Sequence, residues 1–144
     1  MRIVLILMLA CAAYGAIQLW PERDALAGVA TSANGFVPVE MPGGIAPGAV
    51  LVLAPRNCPS EQAQRTEALA GELARQGIPV VRDDGFAFDV ADPTPEQMAG
   101  IDRAVEVFKR GAPAVFVNGM AMSNPTAAQT IAEYRATMGV RSPD

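Results

Sequence analysis

The fold is decided by residues 50–77, which read VLVLAPRNCPSEQAQRTEALAGELARQG. The apolar run Val50–Leu53 predicts a buried strand. Pro59 suits the first position of a helix, and Gly77 is a ready C-terminal stop for it. Cys58 therefore stands where a helix begins directly after a strand. Backbone N–H groups and the helix dipole favour an anion at such a place, so this thiol is a candidate thiolate.

The composition excludes several classes of function. The chain of 144 residues is 51% hydrophobic and 18% charged, which is typical of a globular or membrane-associated protein with one domain and a tail. A net charge of −4 gives no basic footprint, so we expect no nucleic-acid partner. There is no histidine, which excludes Ser-His-Asp and Cys-His pairs within this chain and most zinc sites. Two cysteines, Cys11 and Cys58, are too few for a disulfide framework.

Residues 3–20 form an uncharged, largely apolar run. A helix of this length spans about 27 Å, close to the roughly 30 Å hydrocarbon core of a bilayer. Arg2 precedes the run, so the positive-inside tendency puts the N-terminus in the cytoplasm and the rest outside. The sequence thus predicts a cell-envelope protein. It is anchored in the inner membrane with its domain on the periplasmic or extracytoplasmic side, or it is secreted to that compartment.

Other readings of the N-terminal run remain open. A cleaved signal peptide is the main alternative, because small residues at 10–13 offer a cleavage point. In a lipoprotein, Cys11 would be the lipidated residue. The signal peptide and the lipoprotein, like the anchor, imply that the domain is exported. The remaining interpretation is an apolar helix buried in the protein core, which does not imply export.

The chain divides into four regions. Residues 1–20 are the transmembrane anchor or signal peptide, and residues 21–48 are a Gly/Pro/Ala-rich linker. Residues 49–138 are the folded domain, and residues 139–144 are a C-terminal tail. Within the linker, residues 36–39 predict one added edge strand, since proline is tolerated there.

The domain reads as alternating strands and helices. The first helix has an apolar face of Thr66, Leu69, Ala70, Leu73 and Ala74. Residues 78–81 predict the second strand. Phe86, Phe88 and Val90 alternate with polar or small residues, as in a short strand or an extended loop that packs its aromatic rings inward. The acidic residues at 83, 84, 89 and 92 fit no calcium loop and are interpreted as solvated turn residues.

A second helix has clear boundaries. Thr94 is its N-cap, Pro95 its first residue, and Gln97 completes a capping box. Gly111 ends it. Its predicted apolar stripe consists of Met98, Ile101, Val105 and Phe108.

The last third of the chain predicts a hairpin and a helix. Asn118-Gly119 indicates a type I′ turn between strands over 114–117 and 120–122. Asn124-Pro125 is predicted to cap the final helix. The apolar face of that helix consists of Ala127, Ile131, Tyr134 and Met138.

This order of elements resembles the thioredoxin superfamily, and most closely its glutaredoxin-like, monothiol branch. The resemblance covers residues 49–138 and is carried by Asn57-Cys58-Pro59-Ser60 and by residues 111–119, GAPAVFVNG. It implies an α/β fold with a central mixed sheet of about four strands flanked by helices. It further implies that Cys58 is the nucleophile and that Pro113 is a cis-proline beside it. Pro59, Ala112 and Pro113 would contact the substrate, with the Ala112 backbone facing it.

The chain departs from the family at two places. The second cysteine of the family's dithiol motif is replaced by Glu61, so this domain cannot resolve a mixed disulfide alone. Glu61 also places negative charge in the first turn, which raises the thiol pKa, whereas Arg56 can offset it. Glutathione-binding members carry Gly-Gly and an acidic residue where this chain has residues 122–125, MSNP. We therefore predict no cofactor, with glutathione as the weaker alternative.

Two functions follow as hypotheses. The first is an exported, membrane-tethered thiol-disulfide oxidoreductase that acts through Cys58 alone on protein thiols or disulfides, with an external thiol completing the exchange. The alternative is a non-catalytic binding or assembly module of the cell envelope that holds an extended peptide by backbone pairing beside Pro113. A third reading is a different α/β fold in which Cys58 is a small core residue. In the first two, residues 3–20 contact the membrane.

Overall fold

The computed structural model describes residues 24–55 and 61–139 of the chain. The strands are β1 (Val37–Pro38), β2 (Val50–Leu53), β3 (Val80–Asp83), β4 (Ala114–Val117) and β5 (Met120–Ser123), and the helices are α1 (Glu61–Arg75), α2 (Pro95–Lys109) and α3 (Ala127–Gly139). The described chain is thus mixed α/β, with three helices flanking a five-stranded sheet of order β1-β5-β4-β2-β3. The predicted α/β class is confirmed, and the added edge strand is present as β1.

Strands β2 and β4 form the centre of the sheet. Every residue of both strands is buried. β2 runs parallel to β3 and antiparallel to β4, with Leu53 opposite both Asp83 and Ala114. A strand that is apolar on both faces needs a layer on each side of the sheet. The helices supply those two layers.

Helices α1 and α3 cover one face of the sheet, and α2 covers the other. On the first face, the sheet packs against Leu69 and Leu73 of α1 and against Ile131 and Tyr134 of α3. The sheet residues in this cluster are Val50, Val52, Val115 and Val117. The second face joins Leu51, Leu53, Ala114 and Phe116 of the sheet to Ala104 and Val107 of α2. The alternation of side chains along each central strand therefore divides the core in two.

Helix α1 follows its predicted pattern over most of its length. Thr66, Leu69, Ala70 and Leu73 are buried, but Ala74 is exposed, so the predicted face was one residue too long. Gly77 follows the helix at φ +74°, a left-handed conformation that glycine adopts without strain. The next strand then begins at Val80 rather than Ile78.

The N-terminus of α2 is as predicted, but its buried face is not. Thr94 Oγ1 accepts from the Gln97 N–H at 3.2 Å, and Gln97 Oε1 accepts from the Thr94 N–H at 3.0 Å. The buried residues are Gly100, Ala104 and Val107, whereas Met98, which the sequence placed in the stripe, is 44% exposed. The buried face differs from the predicted stripe because the helix packs closely through Gly100. A Cβ on Gly100 would lie 2.8 Å from the backbone nitrogen of Glu40.

The described part of the predicted linker packs onto the sheet. Phe36 is fully buried, and Val37 pairs with Ala121 in the β1–β5 ladder. Leu26 and Val29 pack against the core face that α2 covers. Residues 24–48 are therefore part of the folded unit, which corrects the linker prediction for the described residues.

A buried carboxyl group holds this extension in place. Glu133 of α3 is 2% exposed and accepts hydrogen bonds from Ser32 Oγ at 2.7 Å and Asn34 Nδ2 at 2.8 Å. Ser32 Oγ in turn accepts from the N–H of Phe36 at 3.1 Å. A buried carboxyl group is tolerated only when it is hydrogen-bonded, and here the extension supplies the donors.

The hairpin is as predicted, but the cap of the final helix is not. Asn118 and Gly119 have φ of +48° and +85°, the positive values that a type I′ turn needs. The final helix is capped by Thr126, whose Oγ1 accepts from the Gln129 N–H at 3.1 Å. Asn124-Pro125 precedes this cap, so the predicted position was two residues early.

Residues 84–90 form a loop that packs aromatic rings inward, one of the two predicted alternatives. The ring centroid of Phe86 lies 5.4 Å from that of Phe88 and 5.3 Å from that of Phe108. Within residues 24–55 and 61–139, no helix has the length and apolar character needed to cross a bilayer. The predicted membrane segment, residues 3–20, lies outside this part of the chain.

We expect Gly100→Ala to destabilise the protein by about 1–3 kcal/mol, because the added methyl group would clash with the Glu40 backbone. Urea unfolding followed by circular dichroism measures the change. Gly71→Ala on α1 is the matched control, since nothing lies within 4 Å of its added Cβ. Equal effects of the two substitutions would contradict the proposed close packing.

Ser32→Ala should also destabilise the protein, by about 1–3 kcal/mol, because it removes a donor to the buried Glu133 carboxyl group. Thr31→Ala, at the exposed neighbouring position, should change the free energy of unfolding by less than about 0.5 kcal/mol. Unchanged stability in Ser32→Ala would show that the hydrogen bond from Ser32 to Glu133 does not help to hold the extension.

Candidate functional site

Four strand ends meet along one side of the sheet, which is formed by the ends of strands and not by an outer strand. Leu53 at the end of β2 lies opposite Asp83 at the end of β3 and opposite Ala114 at the start of β4. Ala114 also lies opposite Ser123 at the end of β5. We call this edge, formed by Leu53, Asp83, Ala114 and Ser123, the site edge. Pro113 and the first turns of α1 and α3 adjoin it.

The structure places three of the six predicted site residues. Glu61 is the first residue of α1, Ala112 is half-buried and Pro113 is buried. The peptide bond between Ala112 and Pro113 is cis, the geometry that the family resemblance implies. Arg56, Cys58 and Pro59 lie outside the described residues.

The segment that carries Cys58 is flanked by described residues that adjoin the site edge. It leaves the described chain after Pro55 and returns to it at Glu61. Pro55 and the first two turns of α1 line a common cleft of about 270 Å³. Its lining residues among those described are Val52, Ala54, Pro55, Ala63, Thr66, Glu67, Arg82 and Asp83.

A groove of about 510 Å³ lies beside Pro113. We call it the Pro113 groove. Its walls are one side of α1 and the start of α3, formed by Arg65, Ala68, Leu69, Glu72, Arg75 and Asn124–Ala127. Its lining is largely apolar, with charged side chains on α1.

Two hydrogen bonds fix the backbone before β4. Ser123 Oγ donates to the Gly111 carbonyl at 3.0 Å, and the Asn124 N–H donates to the Pro113 carbonyl at 2.7 Å. Between these two contacts, no hydrogen bond joins the backbone of Ala112 to another described residue. The N–H and carbonyl of Ala112 are thus held in place beside the groove without a partner in the described chain.

The charged side chains of the groove are paired within α1. Arg65 Nη2 lies 3.0 Å from Glu61 Oε2, and the Glu61 side chain is 86% exposed. Arg75 binds the Glu72 carboxylate, and this hydrogen bond, with one from Gln76, holds the pKa of Glu72 below its ordinary value. The groove therefore presents little net charge from the described residues.

Sequence reasoning missed the α1 side of this groove. It named Glu61 but not Arg65, although the spacing of four residues between opposite charges on a helix is a readable signal of a pair. It also missed Ser123, whose hydroxyl positions the loop before Pro113 and which no sequence motif indicates. Among the described residues, no group of three or more Cys, Asp or Glu side chains could hold a metal ion.

Comparisons with protein-family models, with curated proteins and with solved structures found no match to this chain. The functional interpretation therefore depends on the geometry of the site edge and on the sequence.

We expect Glu61→Gln to lower the pH midpoint of Cys58 alkylation by about 0.3 pH units, because it removes negative charge from the first turn of the helix. The effect is small since Glu61 is exposed and paired with Arg65. Glu72→Gln is the matched control, because it lies eleven residues further along α1, roughly 16 Å away. Equal shifts in both variants would contradict a local effect of Glu61.

Proposed function

We propose that this chain is an exported thiol-disulfide oxidoreductase of thioredoxin-like fold that acts through Cys58 alone. The main support for this proposal is the set of residues that come together at the site edge. Both ends of the segment that contains Cys58 adjoin this edge, and so does the cis-proline Pro113. The strand order β5-β4-β2-β3, with β1 added at the edge, supports the same family resemblance.

The chemistry is a two-step exchange. The Cys58 thiolate attacks one sulfur of a partner disulfide, the partner S–S bond breaks, and the other partner sulfur leaves as a thiolate. The product is a mixed disulfide between Cys58 and the partner. A second, external thiolate then attacks this disulfide and releases Cys58 as a thiolate. Because Glu61 stands in place of a second cysteine, the resolving thiol comes from outside this domain.

The substrate is proposed to be a polypeptide cysteine rather than glutathione. An extended chain in the Pro113 groove can pair with the unbonded N–H and carbonyl of Ala112. Glutathione carries carboxylates that need cationic partners. Arg65 and Arg75, the two cations of the described groove, lie beside the carboxylates of Glu61 and Glu72, which oppose the binding of a small anion there. The groove thus favours backbone pairing and apolar contact over recognition of a small anionic thiol.

A second candidate function is a binding module that holds an extended peptide without thiol chemistry. The specific observation in its favour is the same unbonded Ala112 backbone, since strand pairing there needs no cysteine. The two candidates differ in the state of Cys58: chemistry needs an accessible thiol of lowered pKa, whereas a binding module does not. In either case residues 3–20 are proposed to hold the domain in the cell envelope.

The deciding experiment is the rate of Cys58 alkylation against pH in the full chain with Cys11→Ser. We expect a midpoint below about 7.5, compared with about 8.5 for the same chain unfolded in guanidinium chloride. A midpoint at or above the unfolded value, or no alkylation until the chain unfolds, would exclude the oxidoreductase. Binding of an unstructured peptide by the Cys58→Ser variant would then favour the binding module.

A further inference from the structure

The described chain starts beside the C-terminal end of α2. Nη2 of Arg110 lies 2.8 Å and 2.7 Å from the two carboxylate oxygens of Asp24. Arg110 directly follows α2 and precedes Pro113 by three residues. The point at which the N-terminal segment joins the folded domain is therefore beside the loop that leads into Pro113.

Apolar contacts hold this junction more firmly than the ion pair does. Both partners of the Asp24–Arg110 pair are about half exposed, and such pairs contribute little by themselves. Leu26 and Val29 pack against the core face covered by α2. Asp24 also accepts a hydrogen bond from the Leu26 N–H at 2.9 Å, in a turn that continues to Val29. The junction is thus part of the folded domain.

Only a short stretch separates the junction from the proposed membrane anchor. Trp20 ends the apolar run, and Asp24 follows it by four residues. Even fully extended, four residues span no more than about 14 Å. A domain tethered so closely at one edge presents that edge to the surface to which it is tethered.

We propose that the site edge faces the bilayer, so that the cysteine that Cys58 meets belongs to a membrane protein and lies near the lipid headgroups. This inference rests on the proposed function for the thiol chemistry and for the anchor. The opposite edge, with the turn at Asn118-Gly119, points away from the bilayer.

Helix α3 offers two matched positions to test this orientation. Ala128 lies in its first turn, next to the site edge, whereas Ala136 lies near its end. Both are exposed. Thr137, next to Ala136, accepts a hydrogen bond from Asn118 Nδ2 at 2.9 Å, which places this end of α3 at the hairpin turn. The two alanines are eight residues apart, roughly 12 Å along the helix.

The experiment uses the full chain with Cys11→Ser and Cys58→Ser in sealed phosphatidylcholine vesicles that contain a headgroup-nitroxide lipid. Ala128→Cys or Ala136→Cys is added and labelled from outside with an impermeant fluorescent maleimide. We expect quenching at position 128 to exceed that at 136 at least about twofold, because of the roughly 12 Å between them. A flexible Gly/Ser insertion of twenty residues between Arg23 and Asp24 is the control and should abolish most of the difference.

Each other outcome overturns the proposal. Equal quenching at the two positions would show that the tether does not orient the domain, and stronger quenching at 136 would show that the opposite edge faces the bilayer. A chain that is not retained by the vesicles would remove the anchor. The test does not depend on Cys58, so failure of the thiol chemistry in the alkylation experiment is distinguishable from failure of this orientation.

Discussion

The antiparallel pairing of β2 with β4 determines which ends of the chain meet at the site edge. With Leu53 opposite Ala114, the segment that follows β2 and the loop that precedes β4 must adjoin each other. A shift of one residue would exchange the valines of one half of the core with the larger Leu51, Leu53 and Phe116 of the other half, which would not fit the close packing there. The register is therefore strongly specified, and the neighbourhood of Pro113 follows from it rather than from contacts within the site.

The polar contacts around the site edge position the backbone more than they create a charged surface. Ser123 and Asn124 donate hydrogen bonds to the carbonyls of Gly111 and Pro113, respectively. The arginines of the groove form ion pairs with carboxylates on the same helix. A site of this kind offers backbone groups and apolar surface to a partner. Such a surface suits an extended polypeptide, whose recognition depends on main-chain hydrogen bonds and on the fit of alternate side chains.

The parts of the fold that could be predicted are those where local signals and burial agree. Val50–Leu53 is apolar on both faces and is the central strand, and Thr94 with Gln97 forms the predicted capping box. The face of α2 could not be predicted, because Gly100 and Ala104 carry little hydrophobic signal and are buried by the close approach of Glu40. The extension was misjudged as a linker because Glu133, a residue type rarely buried, supplies its partner from far along the chain. For the site, Pro113 came from a resemblance. The groove wall on α1 includes the exposed residues Arg65, Ala68 and Arg75, which no sequence motif distinguishes from other surface positions.

The link between the extension and α3 has a consequence for the order of folding. Ser32 and Glu133 are 101 residues apart in sequence, so this contact closes one of the longest loops in the described chain. Loop closure of this length is entropically costly and is expected to come late in folding. The ribosome must also have made the chain past residue 133 before residues 32–36 can find their partner. Until then the extension lacks the carboxyl group to which the Ser32 and Asn34 side chains donate.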